Sequence, residues 1–140
     1  MSEISQYCTF RVGNNLFGVP VLEVQEVIFP LPKTNVPLAQ EQIRGLINLR
    51  GQIVTLIGLR HLFGFETKKD DEGMNVVVKS NDSLFALVID EIQDVIDVES
   101  ESFEKTPATI DGRLRPFVKG IHKIPGKLLI VLNLEKIFDF

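Results

Sequence analysis

Two stretches of the chain, "GLINLRGQIVTLIGLRHLF" (45–63) and "GIHKIPGKLLIVLNLEKIF" (120–138), align without a gap, so that Gly45 meets Gly120 and Phe63 meets Phe138. A second ungapped alignment places "LFGVPVLEVQEVI" (16–28) on "LFALVIDEIQDVI" (84–96). Chance likeness between β-rich segments is the alternative explanation, but the shared glycines and the ungapped match favour a true repeat. The sequence therefore predicts an internal duplication, about 7–65 and about 74–140, with the polar stretch between the halves as a linker or exposed loop.

The repeated segments have the composition of short strands. "YCTFRV" and "MNVVVK" are β-rich and end in turn residues, and "QIVTLIGL" and "KLLIVLNL" are continuous apolar runs that predict strands buried on both faces. The segments 38–45 and 134–138 could each form a helical turn or short helix. Because closing a sheet removes its exposed edges, we expect an all-β fold of two small five-stranded barrels, packed side by side, with one or two short helices. Strands can cross between the halves, so repeat boundaries need not be barrel boundaries.

Arg50 stands in the middle of an apolar run, and the repeat indicates why. Arg50–Gly51 aligns with Pro125–Gly126, and Pro-Gly is a strong turn dipeptide because proline presets φ and glycine supplies a positive φ. We therefore expect Arg50 at a hairpin tip, with Asn48 on the same face. Two interpretations remain open: an ordinary solvated arginine, or a guanidinium held out for a partner.

Glu26 lies in "VLEVQEVI", and its counterpart in the repeat is Asp94. Strand alternation would place Val24, Glu26 and Ile28 on one face, which is the pattern of an apolar interface with a charged anchor. The alternative is an ordinary surface glutamate on a half-buried strand.

Composition narrows the possible functions. The net charge is −4 and the sequence pI is near 5.2, which argues against nucleic-acid binding because that needs a clustered basic face. Cys8 is the single cysteine, so no disulfide framework or cysteine-based zinc site is expected. We predict no secretory signal, no membrane-inserted segment and a cytoplasmic location.

No catalytic motif is visible. His61 and His122 lack ligand-spaced neighbours, and neither GxSxG nor a Walker loop occurs. We therefore predict a protein that is not an enzyme, with no catalytic residues, no metal and no cofactor.

Four motifs, taken in order, give the chain a resemblance to the CheW family of bacterial chemotaxis coupling proteins. They are "VQEV" (24–27), "GLINLRGQI" (45–53), "LVID" (87–90) and "LIVLNLEKI" (129–137), and the resemblance runs from about Tyr7 to Phe138. The resemblance implies a single CheW-like domain over 1–140, built from two SH3-like barrels with an apolar core between them. It also implies a non-catalytic adaptor that couples the cytoplasmic tips of chemoreceptors to the regulatory domain of a CheA-like histidine kinase, recruited to membrane-associated receptor arrays.

The resemblance also assigns roles to residues. Receptor contacts would come from Glu26, Asn48, Arg50, Ile92 and Val95, and kinase contacts from Val21, Val24 and Val36. Which surface each partner uses stays open, and so does the assignment of Glu26 to receptor or kinase. Independently of the resemblance, the repeat predicts structural turns at Gly45, Gly51, Gly120 and Gly126. The pathway served, flagellar or another, stays open. A small barrel that binds a ligand or an oligonucleotide is the alternative, and it would need an aromatic and basic face.

Overall fold

The structure, a computed structural model, describes residues 3–140 of the chain. Its strands are β1 (Ile4–Val12), β2 (Asn15–Pro20), β3 (Val24–Ile28), β4 (Lys33–Thr34), β5 (Ile43–Leu49), β6 (Gln52–Gly58), β7 (Met74–Ser80), β8 (Ser83–Ile89), β9 (Glu91–Glu99), β10 (Phe103–Glu104), β11 (Val118–Ile124) and β12 (Lys127–Leu132). Two short helices, α1 (Leu59–Phe63) and α2 (Leu134–Ile137), follow β6 and β12. Single 3-10 turns cover Val21–Glu23, Ser100–Ser102 and Arg115–Phe117.

The strands form two sheets of the same design. The first, which we call the terminal barrel, has the order β10-β11-β12-β2-β1-β9, and the second, the central barrel, has the order β4-β5-β6-β8-β7-β3. Each sheet has five longer strands and one of two residues, and each contains one parallel pair, β12 with β2 and β6 with β8. This architecture confirms the predicted all-β fold of two SH3-like subdomains with two short helices.

The two barrels exchange strands. Each half of the sequence contributes strands to both sheets: β1 and β2 pair into the sheet of the second half, and β7 and β8 into that of the first half. The parallel pairs, where β2 lies against β12 and β8 against β6, are the places where the halves cross. Strands of residues 4–58 and of residues 74–132 are therefore present in both sheets, and neither barrel coincides with one half of the sequence.

The apolar residues form one shared core and one smaller cluster inside each barrel. The shared core draws Phe10 and Phe17 from the terminal barrel, Ile57 and Leu87 from the central barrel, and Phe63 from α1, all nearly inaccessible to water. Burying a large apolar side chain contributes about 1.5–3 kcal/mol, so this core stabilises the contact between barrels as well as each barrel. Cys8 belongs to the same core as a buried free thiol.

The local structure differs from the sequence expectations at three places. Segment 38–45 is not helical: it forms turns, in which Leu38 has a positive φ of 61°, and then enters β5. The "QIVTLIGL" strand is buried on both faces from Val54 onward, with Thr55 half-buried, but its start is not, since Ile53 is 63% exposed near the hairpin tip. A helix also follows this strand, at Leu59–Phe63, where no helix was predicted.

Gly45 and Gly120 are not turn residues, although both were predicted as such. They lie within β5 and β11, at shifts of strand register, where the short strands β4 and β10 pass close to their Cα atoms. A Cβ at Gly45 would come within 2.7 Å of the Thr34 carbonyl oxygen, and one at Gly120 within 2.6 Å of the Glu104 carbonyl oxygen. These glycines permit close backbone approach, a second known use of glycine in strands.

A candidate protein-binding surface

The hairpin between β5 and β6 turns through Arg50 and Gly51. Leu49 pairs with Gln52, so the loop has two residues, and both have positive φ, 51° at Arg50 and 88° at Gly51. This is a type I′ turn, whereas proline cannot adopt positive φ, so Pro125–Gly126 turns differently. Asn48 closes the turn, because its Oδ1 accepts a hydrogen bond of 2.8 Å from the Gly51 amide. Gly51 and Gly126 each lie at the tip of a two-residue hairpin, and the turn at Arg50 differs in type from the turn at Pro125.

Arg50 forms an ion pair with Glu26. The guanidinium Nη2 donates to Glu26 Oε2, and this hydrogen bond is the main reason why the pKa of Glu26 lies below its ordinary value. Glu26 is on β3 at one edge of the central sheet, while Arg50 follows β5 near the other edge. The ion pair therefore joins the two edges of the central sheet, which curls so that these edges come close together. Arg50 is neither trapped in the core nor free, since 66% of its side chain is exposed.

The face of β3 differs from the predicted alternation. A shift of register between Val24 and Glu26 places a bulge in the strand, and both Val24 and Val27 then pack against the shared core. Ile28 instead packs against the cluster inside the central barrel. Val24 does not share a face with Glu26 and Ile28, because the extra residue in the bulge reverses the side-chain direction at that point.

Ile53 adds an exposed apolar group to this region. It lies directly opposite Asn48 in the β5–β6 ladder, so the two side chains share one face. We call Glu26, Asn48, Arg50 and Ile53 the hairpin-tip site. Exposed apolar area beside charged and amide groups, all on rigid strands, suits the surface of a protein–protein contact.

Comparison with known proteins identifies the family. A family model described as a CheW-like domain matches residues 6–140. The chain belongs to the CheW-like family. The chemotaxis protein CheW of Treponema pallidum is 30% identical over 139 residues, covering 96% of this chain and 82% of that protein. The CheW of Helicobacter pylori is 29% identical over 136 residues, with the same two coverages. The crystal structure of the scaffolding protein TtCheW from Thermoanaerobacter tengcongensis superposes with a TM-score of 0.87 at 29% identity, over all of this chain and 94% of that one.

In this CheW-like chain, two residues expected at the receptor surface lie on the other barrel. Ile92 and Val95 belong to β9 of the terminal barrel; Ile92 is half-buried against the shared core, and Val95 is 57% exposed. The sequence alignment places Asp94 on Glu26 and Pro125 on Arg50, so the aligned positions of the second half cannot form the same ion pair. The structure does not bring Ile92 and Val95 into contact with Arg50; it places them on a second sheet.

The residues expected to contact the kinase are not equally accessible. Val21 and Val24 are half-buried against the shared core, whereas Val36 is 37% exposed in the segment before β5. Sequence reasoning missed two strongly exposed apolar side chains of this region, Leu22 at 99% and Phe29 at 77%. The apolar pattern hid them, because both stand among apolar neighbours that predict burial, and only the 3-10 turn and the end of β3 turn them outward.

The two histidines of this CheW-like domain have structural surroundings. His122 is buried, its Nδ1 lies 2.8 Å from Ser102 Oγ, and burial lowers its pKa. His61 is half-buried, and burial is the main cause of its lowered pKa. Within residues 3–140, no three His, Cys, Asp or Glu side chains are grouped to hold a metal ion, and no helix is long and apolar enough to cross a membrane.

Proposed function

We propose that this protein is a non-catalytic adaptor that couples the cytoplasmic tips of chemoreceptors to a CheA-like histidine kinase. The observation that carries the proposal is the match of the CheW-like family model to residues 6–140, joined to the 0.87 TM-score with a scaffolding protein. The adaptor would be recruited to receptor arrays through these contacts and would need no cofactor.

The geometry supports two separate docking faces. The hairpin-tip site lies on the central barrel, and Val95 with Ile92 lies on β9 of the terminal barrel. A helical receptor tip presents an apolar stripe, which Ile92 and Val95 can receive, and polar groups, which the exposed edge of Arg50 can bind. Val36 follows β4 at the edge of the central barrel and suits a contact with a barrel of the kinase regulatory domain. The half-buried Val21 and Val24, just before and at the start of β3, suit the same contact.

The ion pair of the hairpin-tip site presents its charges in a fixed arrangement. Arg50 is anchored by the turn and by Glu26, so its remaining donors have a defined direction before a partner arrives. Preorganisation of this kind reduces the ordering cost of binding. Removing Glu26 would therefore weaken a contact of Arg50 even where Glu26 does not touch the partner.

The direct test is a calorimetric titration with the regulatory domain of a CheA-like kinase from the same organism. The proposal predicts saturable one-to-one binding of the kinase domain by the wild type. Of the variants Glu26→Arg and Arg50→Ala, the one whose residue contacts the kinase should bind it more weakly. A variant that keeps full kinase affinity is then titrated with a receptor tip fragment, where it should lose affinity.

A matched control is Lys127→Ala, which removes an exposed cation beside the corresponding hairpin turn of the terminal barrel. It should bind like the wild type in both titrations. Absence of binding to kinase and receptor by a folded wild-type protein would overturn the adaptor proposal.

A further inference from the structure

Asn75 is a buried polar residue with an unused acceptor. It lies on β7 of the central barrel with 1% of its surface exposed, and its Oδ1 has no hydrogen-bond partner among residues 3–140. Buried side-chain oxygens are nearly always paired, so an orphaned one calls for an explanation in terms of a missing partner.

At the aligned position of the terminal barrel, the polar side chain has a hydrogen-bond partner. The alignment of 16–28 with 84–96, extended without a gap toward the N terminus, places Tyr7 on Asn75, and the Tyr7 hydroxyl lies 3.4 Å from His122 Nε2. The alignment of 45–63 with 120–138 places Ile47, which has no polar side-chain atom to offer, on His122. The pair Tyr7–His122 is thus replaced by Asn75–Ile47, and the hydrogen bond between the two positions is lost.

Asn75 lines an open cavity of about 420 Å³ at the end of the central barrel. The apolar part of its wall comes from Pro30, Leu31, Pro32 and Leu56. The terminal torsion of asparagine is broad, so rotation of the Asn75 amide about it can bring the oxygen toward the cavity. The exposed Phe29 directly precedes this wall, so the apolar surface continues from the cavity onto the outside of the barrel.

The lining restricts what can occupy the cavity. Proline and leucine walls require an apolar body, and Asn75 Oδ1 requires a hydrogen-bond donor at the tip. The charged residues of the lining are Lys33, Lys69, Asp70 and Asp71, so the two signs balance, and Asp70 is already paired with Lys33 and Arg44. Against the neutral Asn75 amide, an uncharged donor therefore suits the cavity better than a charged tip, which would lose its hydration on burial. Tyrosine and tryptophan combine an apolar ring with a single uncharged donor, and both are frequent anchors of protein interfaces.

We propose that this cavity receives a tyrosine or tryptophan side chain of a partner protein, whose O–H or N–H donates to Asn75 Oδ1. This rests on the proposed adaptor function for the partner being a protein, but the cavity and its orphaned acceptor stand independently of that function. The central barrel would thus take from its partner the ring donor that Tyr7 supplies within the terminal barrel.

The test uses the whole protein and p-cresol, the side chain of tyrosine, with toluene as a probe of similar shape that lacks the donor. Methyl and amide NMR signals of Leu31 and Leu56, which line the cavity, should shift saturably with p-cresol. Toluene should bind about tenfold more weakly, the value of one hydrogen bond. Asn75→Leu should abolish that preference. Equal affinities of the wild-type protein for the two probes, or no saturable shift at these residues, would overturn the proposal. Both outcomes are measured on the wild type, so they do not depend on whether a variant folds.

A displacement experiment then separates this proposal from the adaptor function. Calorimetry first shows whether the kinase regulatory domain or the receptor tip fragment binds the protein. Each partner that binds is then added to the complex of the protein with p-cresol. Release of p-cresol by one of them is expected. If a partner binds but neither displaces the probe, the cavity proposal fails while the adaptor function stands; if no partner binds, the adaptor function fails whatever the probes show.

Discussion

At the scale of single residues, Arg50 and Gly51 form the turn between β5 and β6, and both have a positive φ. Glycine adopts such angles freely, and a non-glycine residue does so at a cost. Arg50 bears this cost at a position where Asn48 closes the turn and Glu26 pairs with its guanidinium. The strained position is also the most exposed charge of the site, which is typical of a residue placed for binding.

Gly51→Val is expected to destabilise the protein by about 1–2 kcal/mol, because a β-branched residue must then hold a left-handed backbone. A Cβ at Gly51 would meet nothing within 4 Å, so the effect should come from the backbone alone. Urea unfolding measures it, with Gly112→Val as the control, since that glycine is also open to solvent and has no positive φ. Equal stability of Gly51→Val and the wild type would contradict the type I′ turn.

Arg50→Ala should leave the midpoint of thermal unfolding almost unchanged, because the pair with Glu26 is solvent-exposed and such pairs contribute little to folding. A large fall in the midpoint would show that Arg50 is structural instead of held for a partner. Thermal unfolding of Arg50→Ala, followed by circular dichroism, is compared with that of the wild type and of the control Lys127→Ala.

The sequence predicted the exposure of Arg50 but not its partner. The repeat aligned Arg50–Gly51 with a turn dipeptide, which was enough to place the charge at a hairpin tip. The pairing with Glu26 depends on how far the central sheet curls and on the bulge in β3, and neither is visible in the residue pattern. The same bulge explains why the alternation predicted for Val24 failed.

At the scale of elements, the two-residue strands β4 and β10 are held against β5 and β11 at glycines. Phe103 pairs with His122 across β10 and β11, and its ring lies against Gly120. Sequence patterns could not predict these strands, because two residues give no periodicity. The helical turn or short helix considered possible for 38–45 does not form, because Pro37 and Leu38, with its positive φ, belong to a non-helical turn.

Gly120→Ala should destabilise the protein by about 1–3 kcal/mol, the usual result of overpacking. The added Cβ would fall 2.3 Å from the Phe103 ring and 2.6 Å from the Glu104 carbonyl oxygen, so β10 must move away from β11. Urea unfolding gives the magnitude, and NMR amide shifts should be concentrated in residues 100–106. A variant as stable as the wild type would show that β10 is not packed on Gly120.

Asp90 ties the junction of β8 and β9 to both α1 and the β1–β2 turn. Its carboxylate accepts hydrogen bonds from Arg60 at 2.6 and 2.9 Å and from the Gly13 amide at 2.7 Å. Burial alone would raise the pKa of Asp90, but the Arg60 and Gly13 hydrogen bonds outweigh it and hold the pKa below its ordinary value. The resulting stabilisation is complete above the ordinary carboxylate pKa of about 3.9 and is lost as the pH falls through the lower folded value.

Asp90→Asn is therefore expected to cost about 1–3 kcal/mol at neutral pH, and the difference from the wild type should shrink below about pH 4. Urea unfolding of both proteins from pH 3 to pH 7 measures it. A difference that stays constant down to pH 3 would contradict the lowered pKa of Asp90.

At the scale of the whole molecule, the exchange of strands makes the two barrels interdependent. Glycines and apolar runs that recur at fixed spacing predicted a duplication from the sequence. The partition of strands between barrels could not be predicted in this way, because it depends on the three-dimensional pairing of β2 with β12 and β6 with β8. The shared core then contains side chains from both sheets and both helices.

Unfolding should consequently be a single cooperative transition, since neither barrel can keep the shared core buried alone. Tyrosine fluorescence reports Tyr7 in the terminal barrel, and the NMR methyl signals of Leu56 and Ile47 report the central barrel. Coincident urea transitions are expected for the two probes. Separate midpoints would mean that the barrels fold independently in spite of the exchange.

The central claim is that one copy of this protein joins two partners at once, and sedimentation velocity on a three-component mixture tests it most directly. A soluble receptor tip fragment and the kinase regulatory domain are run together, with and without the protein. The account predicts a boundary containing all three components that appears only when the protein is present, and that is lost with Glu26→Arg or Arg50→Ala. Binding of each partner alone with no boundary containing both, or a receptor–kinase complex that forms equally well without the protein, would contradict it.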